Sequence, residues 1–139
     1  MRMLFDSSAL YKRYNDEPGR ERVMALASQA SAVYVAAHCK SELASALNRQ
    51  LHDGLIAVQD YSRIMAVLQR EFADFRIQPL DRRVEALALA AMERARLRAT
   101  DALHIGSAQS TGVDLFVTAD RRQAAAAQAS GLAVELVEA

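Results

Sequence analysis

Short apolar segments alternate with longer stretches of helical periodicity along the whole chain. Five segments have the length and composition of strands, at residues 3–5, 33–35, 77–80, 115–117 and 133–137. Strands that alternate with helices pair in parallel through right-handed crossovers. The alternation therefore predicts an α/β fold, in which helices cover both faces of a five-stranded parallel sheet.

The stretches around these strands predict seven helices, because their apolar residues recur every three or four positions. The helices are expected at residues 7–15, 18–30, 37–53, 58–75, 82–92, 100–112 and 120–130. Ser7 and Ser8 are candidate caps of the first helix, Asp81 of the fifth and Thr100 of the sixth. Pro79 lacks the N–H that a strand donates, which makes the third strand the weakest of the five.

Length and composition limit the class of protein. A chain of 139 residues with 52% hydrophobic and 24% charged residues predicts a single folded domain over residues 1–139 rather than a disordered chain. The longest apolar run, residues 86–92, is far shorter than the roughly 18 residues of a membrane helix. Asp6 stands where a secretory segment would need apolar residues, and the single Cys39 excludes an internal disulfide. We therefore expect a cytoplasmic protein.

Four acids lie at the ends of predicted strands or in the first turns of predicted helices, and α/β sheets bind their ligands beyond the carboxyl ends of the strands. Asp6 follows the first strand directly, and Asp120 closely follows the fourth. Either could instead be a helix N-cap, and Asp120 with Gln123 has the spacing of a capping box. Asp101 and Glu42 fall near the beginnings of two predicted helices. The four carboxylates could therefore converge on one point.

The two helical acids have different surroundings in the sequence. Asp101 shares a helical face with Ile105 and Ala108, which predicts that it points inward and needs a positive partner from elsewhere. Glu42 borders an apolar stripe and could be a solvated residue paired with Arg49. Carboxylates that converge raise one another's pKa unless a divalent cation neutralises them. A site rich in oxygen and free of cysteine suits one or two Mg²⁺ or Mn²⁺ ions.

Several motifs carry a resemblance to a known family. They are MLFDSSAL at residues 3–10, SEL at 41–43, ATDALHI at 99–105, FVTADRR at 116–122 and ASGLAV at 129–134. With these motifs in this order and at this spacing, the chain resembles the PIN-domain ribonucleases, most closely the VapC-type toxins of toxin–antitoxin pairs. The resemblance extends over the whole chain.

The resemblance implies a PIN-like three-layer domain of strand order 3-2-1-4-5 that acts as an endoribonuclease dependent on Mg²⁺ or Mn²⁺. It implies that Asp6, Asp101 and Asp120 are metal ligands, directly or through water. Glu42 would be the fourth catalytic acid, which binds metal or orients the attacking water. The family also implies an RNA substrate, a homodimer and a VapB-like antitoxin that covers the cleft.

Other polar residues receive smaller roles by the same resemblance. Ser8 and Thr118 would hydrogen-bond the carboxylates and hold them in place. His104 is expected to be a structural or surface residue rather than a base, because the acids already supply the mechanism. His52 and Cys39 receive no role.

Two alternatives to a toxin remain open. The chain could be a catalytically silent PIN domain that only binds a partner, or a PIN nuclease that processes RNA. A response-regulator receiver is excluded, because it needs a lysine near the late strands and the only lysines are Lys12 and Lys40.

The charge balance is compatible with RNA as the substrate. The chain has 17 basic and 17 acidic residues, whereas nucleic-acid-binding proteins usually carry a basic excess. If four acids bind metal, 13 acids remain against 17 basic residues, so the rest of the chain has a basic excess. Candidates for contacts with RNA phosphates are Arg98, Arg121 and Arg122.

Overall fold

A sheet of five parallel strands runs through the middle of the molecule, which the computed structural model describes over residues 1–138. The strands are β1 (Arg2–Phe5), β2 (Ala32–Ala36), β3 (Arg76–Gln78), β4 (Leu115–Thr118) and β5 (Val134–Leu136). They lie in the order β3-β2-β1-β4-β5, and every neighbouring pair is parallel. The predicted α/β class and the strand order are both confirmed.

Helices cover both faces of this sheet. They are α1 (Ser7–Tyr14), α2 (Arg20–Gln29), α3 (Cys39–His52), α4 (Val58–Phe72), α5 (Arg82–Arg94), α6 (Ala99–Thr111) and α7 (Arg121–Ala129). Side chains of α1 to α4 share one apolar core with the sheet, and side chains of α5 to α7 share a second core on the opposite face. Among residues 1–138, no helix is both long and apolar enough to cross a membrane.

The central strand β1 explains why the molecule has two cores. Met3 and Phe5 belong to the core beneath α1 to α4, whereas Leu4 belongs to the core beneath α5 to α7. Successive side chains of a strand point to opposite faces, so a strand buried on both sides needs an unbroken apolar run. β1 pairs with β2 on one side and β4 on the other. The carboxyl end of β1 therefore lies in the middle of the sheet edge at which the parallel strands end.

The structure corrects two of the predicted helix caps. The side chain that caps α1 is Asp6 rather than Ser7 or Ser8, and it accepts a hydrogen bond from the Ala9 N–H. Helix α6 begins one residue before Thr100, so Thr100 lies inside the first turn and does not cap it. In both helices the N-cap residue, Asp6 or Arg98, has the extended backbone that is typical of this position.

The other local predictions agree more closely with the structure. Asp81 caps α5 by accepting a hydrogen bond of 2.9 Å from the Val84 N–H. The third strand ends at Gln78, before Pro79, and pairs with β2 through Tyr34 to Ala36. Helix α4 ends at Phe72, three residues earlier than the periodicity predicts.

Helices α5 and α6 approach each other closely at Gly106. A methyl group on this residue would lie 2.6 Å from the Val84 carbonyl oxygen and 2.9 Å from the Ala88 nitrogen, both on the α5 backbone. Glycine usually weakens a helix, so its presence here reflects the lack of room for a side chain. The contact fixes the position of α6, which carries Asp101 and His104.

We expect Gly106→Ala to lower the free energy of unfolding by about 1–3 kcal/mol, because the added methyl group overpacks a contact with backbone atoms. At an exposed helical position the same exchange would stabilise the protein. Urea unfolding measures the difference, and Ser110→Ala on the same helix is the control, with a change within about 0.5 kcal/mol. A Gly106→Ala protein as stable as the wild type would contradict this packing.

Candidate functional site

The carboxyl ends of β1 and β4 meet at one edge of the sheet and bring two of the predicted acids to it. Asp6 follows β1 directly, and its N–H donates to the Val117 carbonyl oxygen of β4 at 3.0 Å. Asp120 lies two residues beyond the end of β4. Both acids also cap the helices that follow, α1 and α7. A cap role and a position at the site therefore coexist.

The Asp6 side chain is buried and held by three hydrogen bonds, with 3% of the residue exposed. Its Oδ1 accepts from the Ala9 N–H at 3.0 Å and from Ser8 Oγ at 2.7 Å. Its Oδ2 accepts from Thr118 Oγ1 at 2.5 Å. Burial raises the pKa of Asp6, and the charge of His104 together with these hydrogen bonds offsets only part of that rise.

The two hydroxyl groups extend the network to the loop after β4. Ser8 Oγ accepts from the Ala119 N–H at 3.0 Å, and Thr118 Oγ1 accepts from the Asp120 N–H at 3.1 Å. Each hydroxyl thus donates to Asp6 and accepts from the loop. The structure places Ser8 and Thr118 against Asp6, where the resemblance expects them.

Asp101 and Asp120 line the same cleft, which has a volume of about 360 Å³ and also includes Arg98 and Arg122. Asp120 Oδ1 accepts from the N–H groups of Arg122 at 2.8 Å and Gln123 at 3.2 Å. The Gln123 side chain does not complete a capping box, because its Nε2 donates to the Asp101 carbonyl oxygen at 2.9 Å. This bond joins the beginnings of α6 and α7.

Asp101 points less deeply inward than its helical face predicts. Its side chain is 25% exposed, and Oδ2 lies 3.4 Å from Nε of Arg98, the residue just before α6. The Arg98 side chain is 82% exposed, so the ion pair contributes little to stability. The positive partner therefore comes from the N-terminal end of the same helix.

Glu42 makes different contacts from those predicted. Instead of pairing with Arg49, its Oε1 accepts from Ser7 Oγ at 2.7 Å and from His104 Nε2 at 2.7 Å. His38 Nε2 lies 3.4 Å from the same oxygen. Burial acts to raise the pKa of Glu42, but the hydrogen bonds from His104 and Ser7 and the nearby imidazoles outweigh it and lower the pKa. Glu42 is thus held in its ionised form.

Three residues contact Glu42 without having been predicted to do so from the sequence, namely Ser7, His38 and His104. His104 is 2% exposed and contacts Glu42, whereas the sequence leaves its position between the interior and the surface undecided. The sequence could have indicated that His104 lies near the acids, because it follows Asp101 by three residues and residues at that spacing share a helical face. His38 precedes Glu42 by four residues, which is also a same-face spacing. Burial and the charge of His104 lower the pKa of His38.

The chemistry of the acids fits a hard divalent cation. Asp6 is buried and forms no salt bridge with any residue among 1–138, and the nearby charge of His104 offsets only part of the effect of burial. Carboxylate oxygens are the ligands that Mg²⁺ and Mn²⁺ prefer. The four acids do not form a compact set of ligands in the described part of the chain. The group found there with all ligand atoms within 4.8 Å is His38, Glu42 and His104.

Comparison with known families identifies the family of this domain. The family model described as "PIN domain" matches residues 3–129. The chain belongs to the PIN-domain family. The resemblance read from the motifs is therefore confirmed, and the acidic edge of the sheet is the edge of a PIN domain.

Several solved structures share the fold of this PIN domain. FitAcB from Neisseria gonorrhoeae has a TM-score of 0.75 at 20% identity, over 95% of each chain. VapC20 from Mycobacterium tuberculosis, described as a sarcin-ricin loop cleaving toxin, has a TM-score of 0.68 at 19% identity, over 89% of this chain and 94% of its own. VapBC2 from Rickettsia felis, bound to a promoter DNA fragment, has a TM-score of 0.71 at 11% identity, over 98% of each chain. Curated protein sequences gave no match.

The raised pKa of Asp6 predicts a pH-dependent effect of Asp6→Asn on stability. A carboxyl group whose pKa rises on folding favours the folded state most below its ordinary pKa of 3.8, and this contribution disappears as the pH rises through the folded-state value. Asparagine stays neutral, so the stability of Asp6→Asn relative to wild type should increase from acid to neutral pH.

Urea unfolding of both proteins in EDTA across this pH range measures the effect. A difference in unfolding free energy that stays constant with pH would show that the Asp6 carboxyl has the same pKa in both states.

Proposed function

We propose that this PIN domain is an endoribonuclease that depends on Mg²⁺ or Mn²⁺. The observation that carries the proposal is the buried Asp6 carboxylate, which forms no salt bridge among residues 1–138 and stands at the sheet edge where Asp101 and Asp120 line a cleft. A buried charge of this kind is costly unless a cation compensates it. A divalent ion held there would activate water and stabilise the charge that develops on a phosphodiester.

The protein's own residues have distinct roles in this proposal. Asp6, Asp101 and Asp120 bind the cation, directly or through water, and Glu42 is the fourth acid, which binds metal or orients the attacking water. Ser8 and Thr118 position Asp6, because each hydroxyl hydrogen is committed to one of its oxygens. Outer hydrogen bonds of this kind fix the direction in which a ligand presents its lone pairs.

We propose that arginines lining the cleft contact the RNA. Arg98 and Arg122 line it together with Asp101 and Asp120. Arg121 instead pairs with Glu138, at 2.9 Å from Nε and 2.8 Å from Nη2. We therefore assign phosphate contacts to Arg98 and Arg122 and give Arg121 a lesser part.

We further propose that the chain is the toxin of a VapBC-like toxin–antitoxin pair, with an antitoxin that covers the cleft, and that it acts as a cytoplasmic homodimer. The support is the fold shared with VapC20 and with the FitAcB and VapBC2 proteins. Growth arrest on expression, relieved by a small protein encoded next to this chain, distinguishes a toxin from an RNA-processing nuclease.

Cleavage of RNA tests the enzymatic proposal directly. We expect the purified protein to cleave RNA with Mn²⁺ or Mg²⁺ and to stop in EDTA. Asp101→Asn and Asp120→Asn should each lower the rate by at least about 100-fold, the usual effect of removing one group that stabilises the transition state. Asp53→Asn, at an exposed acid beyond α3, is the control and should cleave like wild type.

Cleavage in EDTA would overturn the metal dependence. A pure, folded protein that cleaves no RNA with either ion would favour the silent, partner-binding alternative.

The assignment of arginines predicts different salt dependences for two variants. Arg122→Ala should weaken RNA binding and reduce the slope of log K against log salt by about 0.7, the value for one phosphate contact on a single strand. Arg121→Ala, its sequence neighbour, should leave the slope near that of the wild type. Binding is measured by fluorescence anisotropy with labelled single-stranded RNA and the inactive Asp120→Asn background. Equal slopes for the two variants would contradict the assignment.

A further inference from the structure

Two imidazole groups meet one carboxylate at the beginning of α3. His38 occupies the N-cap position of α3, Glu42 follows one turn later, and His104 approaches from α6. The Nε2 atoms of His104 and His38 lie 2.7 Å and 3.4 Å from Glu42 Oε1. The centroids of the two imidazole rings are 4.3 Å apart. The three side chains thus face one small volume.

Hydrogen bonding within the described chain leaves one buried atom of this cluster without a partner. His104 is 2% exposed, yet its Nδ1 has no hydrogen-bond partner among residues 1–138. Buried polar atoms are normally paired, so an orphaned nitrogen on a buried ring needs an explanation. Neither histidine has a role in the nuclease proposed above, which relies on carboxylates.

We propose that His38, Glu42 and His104 form a binding site for a borderline transition-metal ion, represented by Zn²⁺. Their ligand atoms all lie within 4.8 Å of one another. Ligands of a tetrahedral Zn²⁺ at 2.0–2.1 Å are about 3.3 Å apart, which is between the two distances to Glu42 Oε1. Residues four apart on a helix present two ligands on one face, as His38 and Glu42 do. Three protein ligands leave a fourth position for water.

Binding of the ion requires two small rearrangements. His38 Nε2 now contacts the Thr100 carbonyl oxygen at 2.9 Å, and this contact is exchanged for the metal. His104 Nε2 must present its lone pair, so its proton moves to the unpartnered Nδ1, and its hydrogen bond to Glu42 Oε1 is replaced by the metal. Thr100 directly precedes Asp101, so the exchange loosens the turn that carries one of the proposed catalytic acids.

The donor atoms distinguish this site from the carboxylate site. Imidazole nitrogen suits Zn²⁺, Co²⁺ and Ni²⁺, whereas Mg²⁺ takes oxygen ligands and keeps much of its water. Glu42 belongs to both sets. If the proposed nuclease function holds, Zn²⁺ bound to the histidines withdraws Glu42 from the nuclease site and inhibits cleavage.

Metal binding tests the site without reference to nuclease activity. The full chain is freed of metal with EDTA, dialysed against Zn²⁺ in the presence of excess Mg²⁺, and analysed for bound zinc. We expect one Zn²⁺ per chain and, with Co²⁺ as the probe, visible absorption of a four-coordinate ion.

Variants of the three histidines of the chain identify the ligands. His38→Ala and His104→Gln should each weaken Zn²⁺ binding by more than about 100-fold, because loss of an outer partner alone costs 10–100-fold. His52→Ala, at an exposed histidine on the far end of α3, should bind like wild type. His38 is only partly buried, so His38→Ala gives a folded variant even if His104→Gln unfolds. Equal Zn²⁺ affinity in wild type and His38→Ala would overturn the proposal, as would displacement of Zn²⁺ by equimolar Mg²⁺.

Asp120→Asn separates this proposal from the nuclease proposal. It should abolish RNA cleavage and still bind one Zn²⁺, because Asp120 is not among the three ligands. Zinc binding without any nuclease activity would refute only the nuclease function. Nuclease activity without zinc binding by the wild type would refute only the histidine site. In an active protein, Zn²⁺ should inhibit Mg²⁺-supported cleavage more strongly in wild type than in His38→Ala, each measured against its own uninhibited rate.

Discussion

Three hydrogen bonds to the buried carboxylate of Asp6 join the central strand to the elements around it. The Ala9 N–H and the Ser8 hydroxyl bind it to the first turn of α1, and the Thr118 hydroxyl binds it to the end of β4. Hydrogen bonds to an ionised acceptor are the strong ones, and leaving such an acceptor unpaired in the interior is expensive. Since Thr118 also accepts from the Asp120 N–H, the loop that carries Asp120 is positioned by the same carboxylate. The geometry of the edge therefore depends on Asp6.

The pKa values of two acids near this edge are shifted in opposite directions. Burial raises the pKa of Asp6, whereas hydrogen bonds from His104 and Ser7 lower the pKa of Glu42 despite its partial burial. Asp6 destabilises the fold when it is ionised alone, and a bound cation would remove that cost. Glu42 already has partners within the chain. A protein commonly keeps such unfavourable charges only where binding or catalysis uses them.

The local arrangement of charges reconciles a neutral chain with the RNA substrate that we propose. Asp101 and Asp120 share one cleft with Arg98 and Arg122, so acids and guanidinium groups lie side by side at the site. The nearby Arg121 is instead neutralised by Glu138. Net charge sums over these local arrangements, which is why it does not by itself exclude RNA.

The sequence by itself determined the parallel α/β sheet, its strand order through the family motifs, and the place of Asp6 and Asp120 at the strand ends. These features follow from periodicity and adjacency, which are local properties of the chain. Only the tertiary structure decided that Glu42 meets His104, 62 residues away, and that Gly106 packs against the backbone of α5. Periodicity shows which face of a helix is buried but not which side chain that face meets, because the partner is set by how distant elements pack together.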